Sequence, residues 1–412
     1  MQSRRRARAR AIVALVLASA VTALAVAGEA RAFDVVACGG GVAYVARDGS
    51  VRLADGARRT TLLSSTELAA DAAGAIPTLS CAAGHVVARV PSVVRVVAAS
   101  GPRAGGGASL RRIVPPRGFI FMQSVEPSAS HDGTTLALGI REDERDGPPS
   151  LLLASLATSA EPRIVALGGP AVRDAPAPPD SHSDLAFAFM GRSVLVRVLL
   201  GARSLLVDTT RAALQGEPVR LSAGAPPICL AADGLTMASA SRDGTQVRAM
   251  RDTERTGRVR APSTPVGMTR LPRGRLDPRR CVVATDGSAL AAVRAVPSVG
   301  LEVVRIALRN GRARRTSGLV APPEVRHFDP DVARVVVFGE RGADVRSLVV
   351  AAPSQDTVAP APAGWRWTDG TFASDGSRLF LVAARVRGVR TERVLYEARV
   401  PSDAPTRVDE LR

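Results

Sequence analysis

The sequence predicts an all-β protein built from one repeated unit, and three observations predict it. A short pattern recurs along the 412 residues: small residues, then an Asp-Gly pair or a single Gly, then an apolar run. The apolar runs are about five to eight residues long, rich in Val and Leu, and bounded by Gly, Pro, Asp and Ser, as buried strands are. Helix signatures are scarce, and we predict short helices only at residues 65–73 and 209–215.

The repeat is clearest at residues 372–382, where an Asp-Gly pair precedes the run Ser-Arg-Leu-Phe-Leu-Val. Such a pair is typical of a tight turn that leads into a strand. Gly supplies a positive φ and Asp bonds the local backbone, so we interpret the pairs as structural turns rather than as carboxylate sites. The pairs are Asp132 and Gly133, Asp233 and Gly234, Asp286 and Gly287, and Asp375 and Gly376.

The copies of the repeat follow at nearly even spacing. They stand at residues 38–45, 81–90, 130–138, 187–198, 229–238, 281–293, 328–338 and 372–382. Gly41 and Gly376 are seven steps apart, which gives a period of about 48 residues, within the range of four-stranded propeller blades. After Gly376 the pattern predicts strands at 378–384, 392–399 and 405–410, so each unit supplies a lead-in strand and three more.

A four-stranded sheet of this size cannot bury both of its faces alone, so neighbouring units must stack, and radial stacking closes the array. The prediction is a single β-propeller of four-stranded blades, eight in number, with seven as the alternative. A pair of β-sandwiches is the second architecture, but it does not explain Asp-Gly at one phase of the period. The predicted blades are approximately 33–66, 67–115, 116–170, 171–216, 217–265, 266–316, 317–356 and 357–412. Residues 33–37 could instead complete the last blade.

Residues 1–32 have the organisation of a secretory signal. An Arg-rich start is followed by the apolar stretch 11–26 and by the small-x-small sequence Ala30-Arg31-Ala32, which is typical of a cleavage site. Two alternatives stay open: an uncleaved membrane anchor, and a lipidated Cys38 after the sequence Val-Val-Ala. Beyond this segment no apolar run is long enough to span a membrane, so we expect a secreted or extracytoplasmic chain.

The charge of the chain is strongly basic, at +17, and all of its basic residues except His are Arg, since Lys is absent. Removing residues 1–32, which contain six Arg and one Glu, leaves +12. A basic balance can favour nucleic acid, but no Arg cluster is interleaved with the aromatic residues that stacking on bases requires. We therefore do not expect nucleic-acid binding.

The repeat motif resembles that of a known family. Residues 238–244 (Ala-Ser-Ala-Ser-Arg-Asp-Gly) and 374–379 (Ser-Asp-Gly-Ser-Arg-Leu) are similar to the blade motif of TolB-like and WD40-like β-propeller repeats. In that motif a Ser-Pro-Asp-Gly turn precedes the inner strand. The resemblance covers most of residues 33–412. It implies an exported bacterial propeller of the envelope or the extracellular space, often an interaction scaffold and sometimes the non-catalytic part of a hydrolase.

Four cysteines in an exported chain indicate disulfides. Cys38 and Cys81 occupy the lead-in position of the first two units, and Cys229 and Cys281 that of the fifth and sixth. Adjacent blades place equivalent positions near each other, so we predict the pairs Cys38 with Cys81 and Cys229 with Cys281. Four buried free thiols are the alternative.

No catalytic, metal-binding or cofactor site is predicted. The chain has no Gly-x-Ser-x-Gly sequence, which marks one class of serine hydrolases. Its four histidines are His85, His131, His182 and His327, and three of them lie at or beside lead-in turns. The sequence His182-Ser183-Asp184 cannot form a relay, because adjacent residues of a strand point to opposite faces.

The function predicted from the sequence is an exported, non-catalytic interaction scaffold for an envelope protein or a glycan. We expect a monomer without a cofactor. The alternative is a propeller enzyme, a hydrolase or lyase, with an active site on the axis; the scarcity of His, Tyr and Trp argues against it. A third hypothesis is a sensor that an uncleaved N-terminus anchors in the membrane.

Overall fold

The structure is a computed structural model that describes most of residues 35–412. It leaves out residues 73–74, 100–110, 124, 144–148, 168–184, 191–193, 201–202, 216–218, 221–226, 231–235, 241–245, 252–264, 271–274, 284–288, 297–299, 308–312, 320–333, 339–343, 350–354, 374–376 and 400–403. Within residues 216–359 the described side chains are those of Cys229, Leu230, Ala238, Leu290 and Ala291.

The described strands form eight antiparallel sheets that follow one another along the chain. The first sheet contains β1 (Val35–Cys38), β2 (Gly41–Val45), β3 (Val51–Asp55) and β4 (Arg58–Leu63). The second contains β5 (Thr78–Ala82), β6 (His85–Val90), β7 (Val93–Ala98) and β8 (Arg111–Ile113). The third contains β9 (Phe119–Phe121), β10 (Ser128–Ala129), β11 (Thr135–Glu142), β12 (Ser150–Ser155) and β13 (Arg163–Ala166). The fourth contains β14 (Leu185–Phe189), β15 (Leu195–Leu200), β16 (Arg203–Asp208), β17 (Ala213–Leu214) and β18 (Val219–Arg220).

The remaining sheets repeat this arrangement. The fifth contains β19 (Pro227–Leu230), β20 (Thr236–Ala240), β21 (Gln246–Arg251) and β22 (Pro265–Arg270). The sixth contains β23 (Arg275–Val283), β24 (Ala289–Val296), β25 (Gly300–Ala307) and β26 (Ala313–Leu319). The seventh contains β27 (Arg334–Phe338), β28 (Asp344–Val349) and β29 (Gln355–Pro360). The eighth contains β30 (Arg366–Phe372), β31 (Arg378–Arg387), β32 (Arg390–Arg399) and β33 (Thr406–Leu411).

Because consecutive strands of a sheet run antiparallel and pair in chain order, their connections alternate between two faces. The turns between first and second strands and between third and fourth strands lie on one face, which we call the Asp-Gly face. The turns between second and third strands lie on the other, together with the linkers from one sheet to the next. We call this second face the linker face.

The sheets pack face to face through continuous apolar clusters. Such clusters join the first sheet to the second, the second to the third and the third to the fourth. A further cluster joins the eighth sheet to the first and includes Val42, Tyr44, Phe380, Val382 and Leu411. The two ends of the described chain therefore meet, and the β-propeller predicted from the sequence is confirmed. The number of blades, eight or seven, stays a prediction.

In the described residues, neither the first nor the eighth sheet contains a strand from the other end of the chain. Strand β1 pairs with β2, with Val35 opposite Tyr44, and so opens the first sheet rather than completing the eighth. An isolated bridge between Ala46 and Leu411 joins the β2–β3 turn to the end of β33. On the Asp-Gly face, Arg378 donates to the carbonyl of Gly40 and pairs with Asp55 at 3.2 Å.

Arginines at the start of two outer strands connect successive sheets with the period of the repeat. Arg111 in β8 donates to the carbonyls of Thr158 and Ala160, and Arg163 in β13 donates to those of Thr209 and Thr210. The acceptors lie 46 to 49 residues after each arginine, which is one repeat further along the chain. The same interaction therefore recurs at two successive sheet contacts.

The described residues contain one α-helix, α1 (Ser65–Ala72), in the linker between the first two sheets. Ser64 caps it: the Glu67 amide donates to Ser64 Oγ at 3.3 Å and the Ser64 amide donates to Glu67 Oε2 at 2.8 Å, a capping box. The predicted helix at 65–73 is thus confirmed. The predicted helix at 209–215 is wrong: Asp208 Oδ1 accepts from the Thr210 amide at 2.9 Å, and this local bond favours a turn.

Four outer strands end a few residues beyond the approximate blade boundaries predicted from the sequence, which stay a prediction. Strands β18, β22, β26 and β29 belong to the fourth to seventh sheets and end at residues 220, 270, 319 and 360. The predicted boundaries lie at 216, 265, 316 and 356. The turn pattern marks the inner strands, whereas an outer strand follows a loop of variable length that the pattern does not specify.

A disulfide joins Cys38 and Cys81, whose Cα atoms are 5.3 Å apart. These residues lie on β1 and β5, the inner strands of the first two sheets, so the bond connects neighbouring sheets as predicted. Cys38 Sγ is thereby occupied, which argues against lipidation at this residue. Cys229 is also disulfide-bonded, but the Cys281 side chain lies outside the described residues, and that pair stays a prediction.

Replacing both Cys38 and Cys81 by Ser is expected to lower the free energy of unfolding. The bond closes a loop with a sequence separation of 43 residues, and removing such a constraint on the unfolded chain costs about 3–4 kcal/mol. Urea unfolding of the oxidised chain, followed by circular dichroism, measures the loss. Ala37→Ser, on the same strand, is the control and keeps the bond. Equal unfolding curves for the double variant and the wild type would contradict the prediction.

Candidate functional site

Polar side chains surround the apolar cluster between the first and eighth sheets on the linker face. The Tyr44 hydroxyl, on β2, donates to Asp409 Oδ2 on β33 at 2.8 Å. Arg52, on β3, donates to the same carboxylate oxygen at 3.0 Å. Burial and the hydrogen bond to Asp409 raise the pKa of Tyr44 well above its usual value. Asp409 therefore holds a buried hydroxyl and a partly buried cation across the junction.

A charged groove opens to solvent beside this network. It is a wide concavity of about 740 Å³, and its lining residues are Arg47, Asp48, Arg52, Arg407, Val408, Asp409 and Glu410. Glu410 accepts from Arg47 and from Arg407, each at 2.6 Å, and the bond from Arg47 contributes most to lowering the pKa of Glu410. Three arginines thus alternate with three acids, and the groove presents both signs of charge.

A β-hairpin of the eighth sheet projects from the linker face beside the groove. Strands β31 and β32 have ten residues each, whereas β2 and β3 of the adjoining sheet have five each. The two hairpins start at the same height on the Asp-Gly face, because Arg378, the first residue of β31, contacts the carbonyl of Gly40, the residue before β2. At about 3.3 Å per residue, the longer hairpin extends about 15 Å further. Its turn at Gly388, with φ 60°, fits the tight two-residue turns that join such strands.

Aromatic side chains brace the base of this hairpin. The Arg385 guanidinium lies over the Trp365 ring, 4.3 Å from its centroid, and also pairs with Glu392 on β32. Below it, Trp367 and Tyr396 form an edge-to-face pair with centroids 5.4 Å apart. Both tryptophans and one of the two tyrosines of the chain therefore support a single hairpin.

The tip of the hairpin combines exposed apolar side chains with cations. Val386 is 61% exposed and Val389 is fully exposed. Arg387 and Arg390 are exposed and stand directly opposite each other on the two strands, although like charges in that position destabilise a hairpin. Arg387 Nε also lies 3.9 Å from Glu392 Oε1, an exposed and long ion pair of the kind that contributes little to stability.

The chemistry of this surface suits non-covalent contacts. Exposed valines can be buried against a partner, and the arginines can pair with its carboxylates. Within the described part of the chain, no group of three or more His, Cys, Asp or Glu residues could hold a metal ion. No described helix is long and apolar enough to cross a membrane.

The predicted turn residues lie elsewhere, on the Asp-Gly face. Asp132 Oδ1 accepts from the Thr134 amide at 3.0 Å and from Ser130 Oγ at 2.6 Å, and Gly133 has a φ of 69°. The hydrogen bond from Ser130 is the main cause of a lowered pKa of Asp132. The other turn residues lie outside the described residues: Asp233, Gly234, Asp286, Gly287, Asp375 and Gly376.

The described histidines also belong to that face. His85 begins β6 and its Nδ1 lies 3.0 Å from the carbonyl oxygen of Ala83, while His131 is exposed in the turn of Asp132. His182 and His327 lie outside the described residues.

Sequence reasoning predicted the two strands of the hairpin, at 378–384 and 392–399, but missed its projecting tip, and it missed the groove altogether. One signal was available: residues 385–390 read Arg-Val-Arg-Gly-Val-Arg, with apolar and charged residues alternating around a glycine. The position of both tryptophans at 365 and 367, shortly before this segment, was a second signal. The groove gave none, because its two halves are more than 350 residues apart in the chain.

Comparisons with known proteins support the fold. The Dos1 propeller is similar with a TM-score of 0.53 and 13% identity, over 90% of this chain and 93% of that one. A chain of the mitotic checkpoint complex has a TM-score of 0.50 and 13% identity, over 81% and 90%. The C-terminal WD40 domain of Sif2 has a TM-score of 0.48 and 11% identity, over 76% and 78%. At these identities the likeness concerns the fold alone, a β-propeller. No family model and no curated protein matches the chain.

Tyr44→Phe is expected to change how stability depends on pH. The folded chain keeps the Tyr44 proton well above the usual tyrosine pKa of about 10, because of burial and Asp409. As pH rises above about 10, the unfolded state therefore loses this proton first, and the free energy of unfolding falls. The variant lacks this alkaline loss, and at neutral pH it is less stable by about 1 kcal/mol through the lost hydrogen bond.

Urea unfolding at a series of pH values between about 7 and 11 tests this, since that range spans the usual tyrosine pKa. Tyr396→Phe removes the other tyrosine of the chain and is the matched control, which keeps the alkaline loss that Tyr44 causes. A parallel fall of stability with pH in wild type and Tyr44→Phe would show that Tyr44 does not carry the effect.

Arg385→Ala is expected to loosen the hairpin. It removes the stacking on Trp365 and the pairing with Glu392, which together contribute about 1 kcal/mol, so local opening rises roughly fivefold. Limited trypsin digestion with mass spectrometry measures the rate of cleavage after Arg387 and Arg390. Arg399→Ala, at the other end of β32, is the control. An unchanged cleavage rate in Arg385→Ala would refute the bracing role.

Proposed function

We propose that the chain is an exported, non-catalytic β-propeller scaffold that binds a partner protein through the linker face where the first and eighth sheets meet. The projecting hairpin is the observation that carries the proposal. It holds two exposed valines and two opposed arginines about 15 Å ahead of the neighbouring turn, where closure of the ring requires none of them.

The partner is a protein with an apolar pocket and acidic side chains around it. Val386 and Val389 supply the apolar contact, and Arg387 and Arg390 supply cations that can pair with carboxylates. The adjoining groove alternates Arg47 and Arg407 with acidic residues, which complements a surface of mixed charge. An anionic lipid surface has one sign only, and a neutral glycan makes no use of opposed arginines, so a protein fits this face best.

Export is supported by two observations of different kinds. Residues 1–32 have the organisation of a secretory signal. The described cysteines are disulfide-bonded, Cys38 with Cys81 and Cys229 with a partner of its own, and such bonds form in oxidising compartments outside the cytosol. The TolB-like resemblance of the repeats agrees with this location.

Site-specific crosslinking in intact cells tests the proposal. A photo-reactive residue at Thr391, which is exposed beside the tip, is activated, the chain is recovered with an antibody, and the crosslinked protein is identified. The substitutions Val386→Asp and Val389→Asp together are expected to lower the yield by at least about tenfold, since losing roughly 1.4 kcal/mol of contact has that effect. The N-terminus of the recovered chain, expected at Phe33, reports export in the same sample.

A matched control separates binding from folding. Val194 is 51% exposed on the Asp-Gly face, so Val194→Asp introduces the same charge away from the tip and should keep the crosslink. Both variants should unfold within about 0.5 kcal/mol of wild type, because exposed positions tolerate substitution. Equal yields from the tip variant and the control would reject the hairpin as the contact, and an N-terminus at Met1 would reject the cleaved signal.

A further inference from the structure

A second feature of the linker face is a buried arginine between the second and third sheets. Arg89, in β6, is only 2% exposed. Its Nη1 donates to the carbonyl of Met122 at 3.2 Å and to that of Val125, both in the linker that leads into β10. Its Nε and Nη2 are buried and have no hydrogen-bond partner among the described residues.

The two unpartnered nitrogens of Arg89, Nε and Nη2, lie on the same edge of its guanidinium group. In a guanidinium group the Nε–H and the nearer Nη2–H lie in one plane along one edge and point in the same direction. This edge is the fork that binds the two oxygens of a carboxylate by parallel hydrogen bonds. The Nη1 contacts fix the plane of the group, so the fork of Arg89 is held in one orientation.

Neighbouring side chains extend the polar character of this place. Thr78 is the cross-strand partner of Arg89, and Ser80 is that of Val87, so both lie on the same face of the sheet as Arg89. Ser80 Oγ is buried without a partner, as is Nε2 of Gln123, the residue after Met122. On the face of the second sheet that carries Arg89, the Ser80 hydroxyl and the free edge of Arg89 therefore both remain unused.

Because Arg89 is charged, burying it without a paired anion lowers the stability of the folded state. Burial lowers the pKa of Arg89 to about 10, so the guanidinium is still charged at neutral pH. Glu126 is the acid whose charge acts on it, but the Glu126 side chain is exposed at the surface. A buried cation without a hydrogen-bonded anion destabilises the folded state.

A second buried arginine provides the contrast. Arg197 occupies β15, the second strand of the fourth sheet, as Arg89 occupies the second strand of the second sheet. It is also buried, but its Nη1 donates to Ser204 Oγ of its own sheet at 3.0 Å. A buried arginine at this position can thus donate a hydrogen bond within its own sheet. Arg89 differs, because its Nη1 donates to a linker and its Nε and Nη2 have no partner among the described residues.

We propose that Arg89, with Ser80 on the same face of the sheet, forms a binding site for a carboxylate at the contact between the second and third sheets. The ligand class is a small carboxylic acid or a carboxyl group of a larger molecule, held by the Nε and Nη2 fork. The site stands independently of the hairpin, and neither proposal depends on the other.

Sodium acetate is the probe that tests the site. Thermal unfolding of the mature chain is followed while acetate replaces sodium chloride at constant ionic strength. Wild type is expected to show a saturable rise in Tm of roughly 2–4 °C, as a ligand of the native state produces. Arg89→Met abolishes the rise, and Arg89→Lys, which keeps the charge but not the fork, weakens acetate binding about tenfold.

Two further variants decide the source of the carboxylate. Arg197→Met removes the matched buried arginine and should keep the acetate response. Glu126→Gln removes the nearby carboxylate of the chain itself and should keep or strengthen the response. If acetate stabilises only Glu126→Gln and not wild type, Glu126 itself fills the fork and the ligand site is wrong. If acetate has no effect on wild type or on Glu126→Gln, the proposal is overturned.

Discussion

The contact between the first and eighth sheets is the constraint on which the rest of the molecule depends. The second and third sheets cover both of their faces with the sheets before and after them in the chain, whereas the first sheet has no described sheet before it in the chain and the eighth has none after it. The first and eighth sheets meet through Tyr44 and Val42 on one side and Phe380 and Val382 on the other. Burying each such side chain contributes about 1.5–3 kcal/mol, and an open series would expose all of them.

Closure also explains which polar residues belong to the fold rather than to function. A buried tyrosine hydroxyl needs a partner, and Asp409 provides one while it also holds Arg52. On the opposite face Arg378 joins the Gly40 carbonyl and Asp55. Once these structural roles are set aside, the hairpin tip remains: none of its exposed residues contributes to the contact between the sheets.

The sequence predicts local features of this fold well and distant ones poorly. An Asp-Gly turn and the run of Val and Leu after it are local signals, so the eighth-sheet strands predicted at 378–384, 392–399 and 405–410 correspond closely to β31, β32 and β33. The helix predicted at 209–215 is absent because the Asp208 side chain accepts a hydrogen bond from the Thr210 amide. The spacing of apolar residues does not reveal this bond. The pairing of Tyr44 with Asp409, 365 residues apart, and the free fork of Arg89 require the assembled structure.

Hydrogen-bond capacity identifies functional arginines in a chain where arginine itself carries little information. The chain has 55 Arg and no Lys. An Arg at a given position therefore indicates only that a cation is present there. Arg111 and Arg163 direct their nitrogens to carbonyls of the next sheet, and Arg52 directs its own to carboxylates. Arg387 instead faces Arg390 and, among the described residues, has only a long ion pair with Glu392, at 3.9 Å, and Arg89 keeps one edge free. All three lie toward the linker face, Arg387 and Arg390 at the eighth-sheet hairpin and Arg89 between the second and third sheets, and for this reason both proposals concern that face.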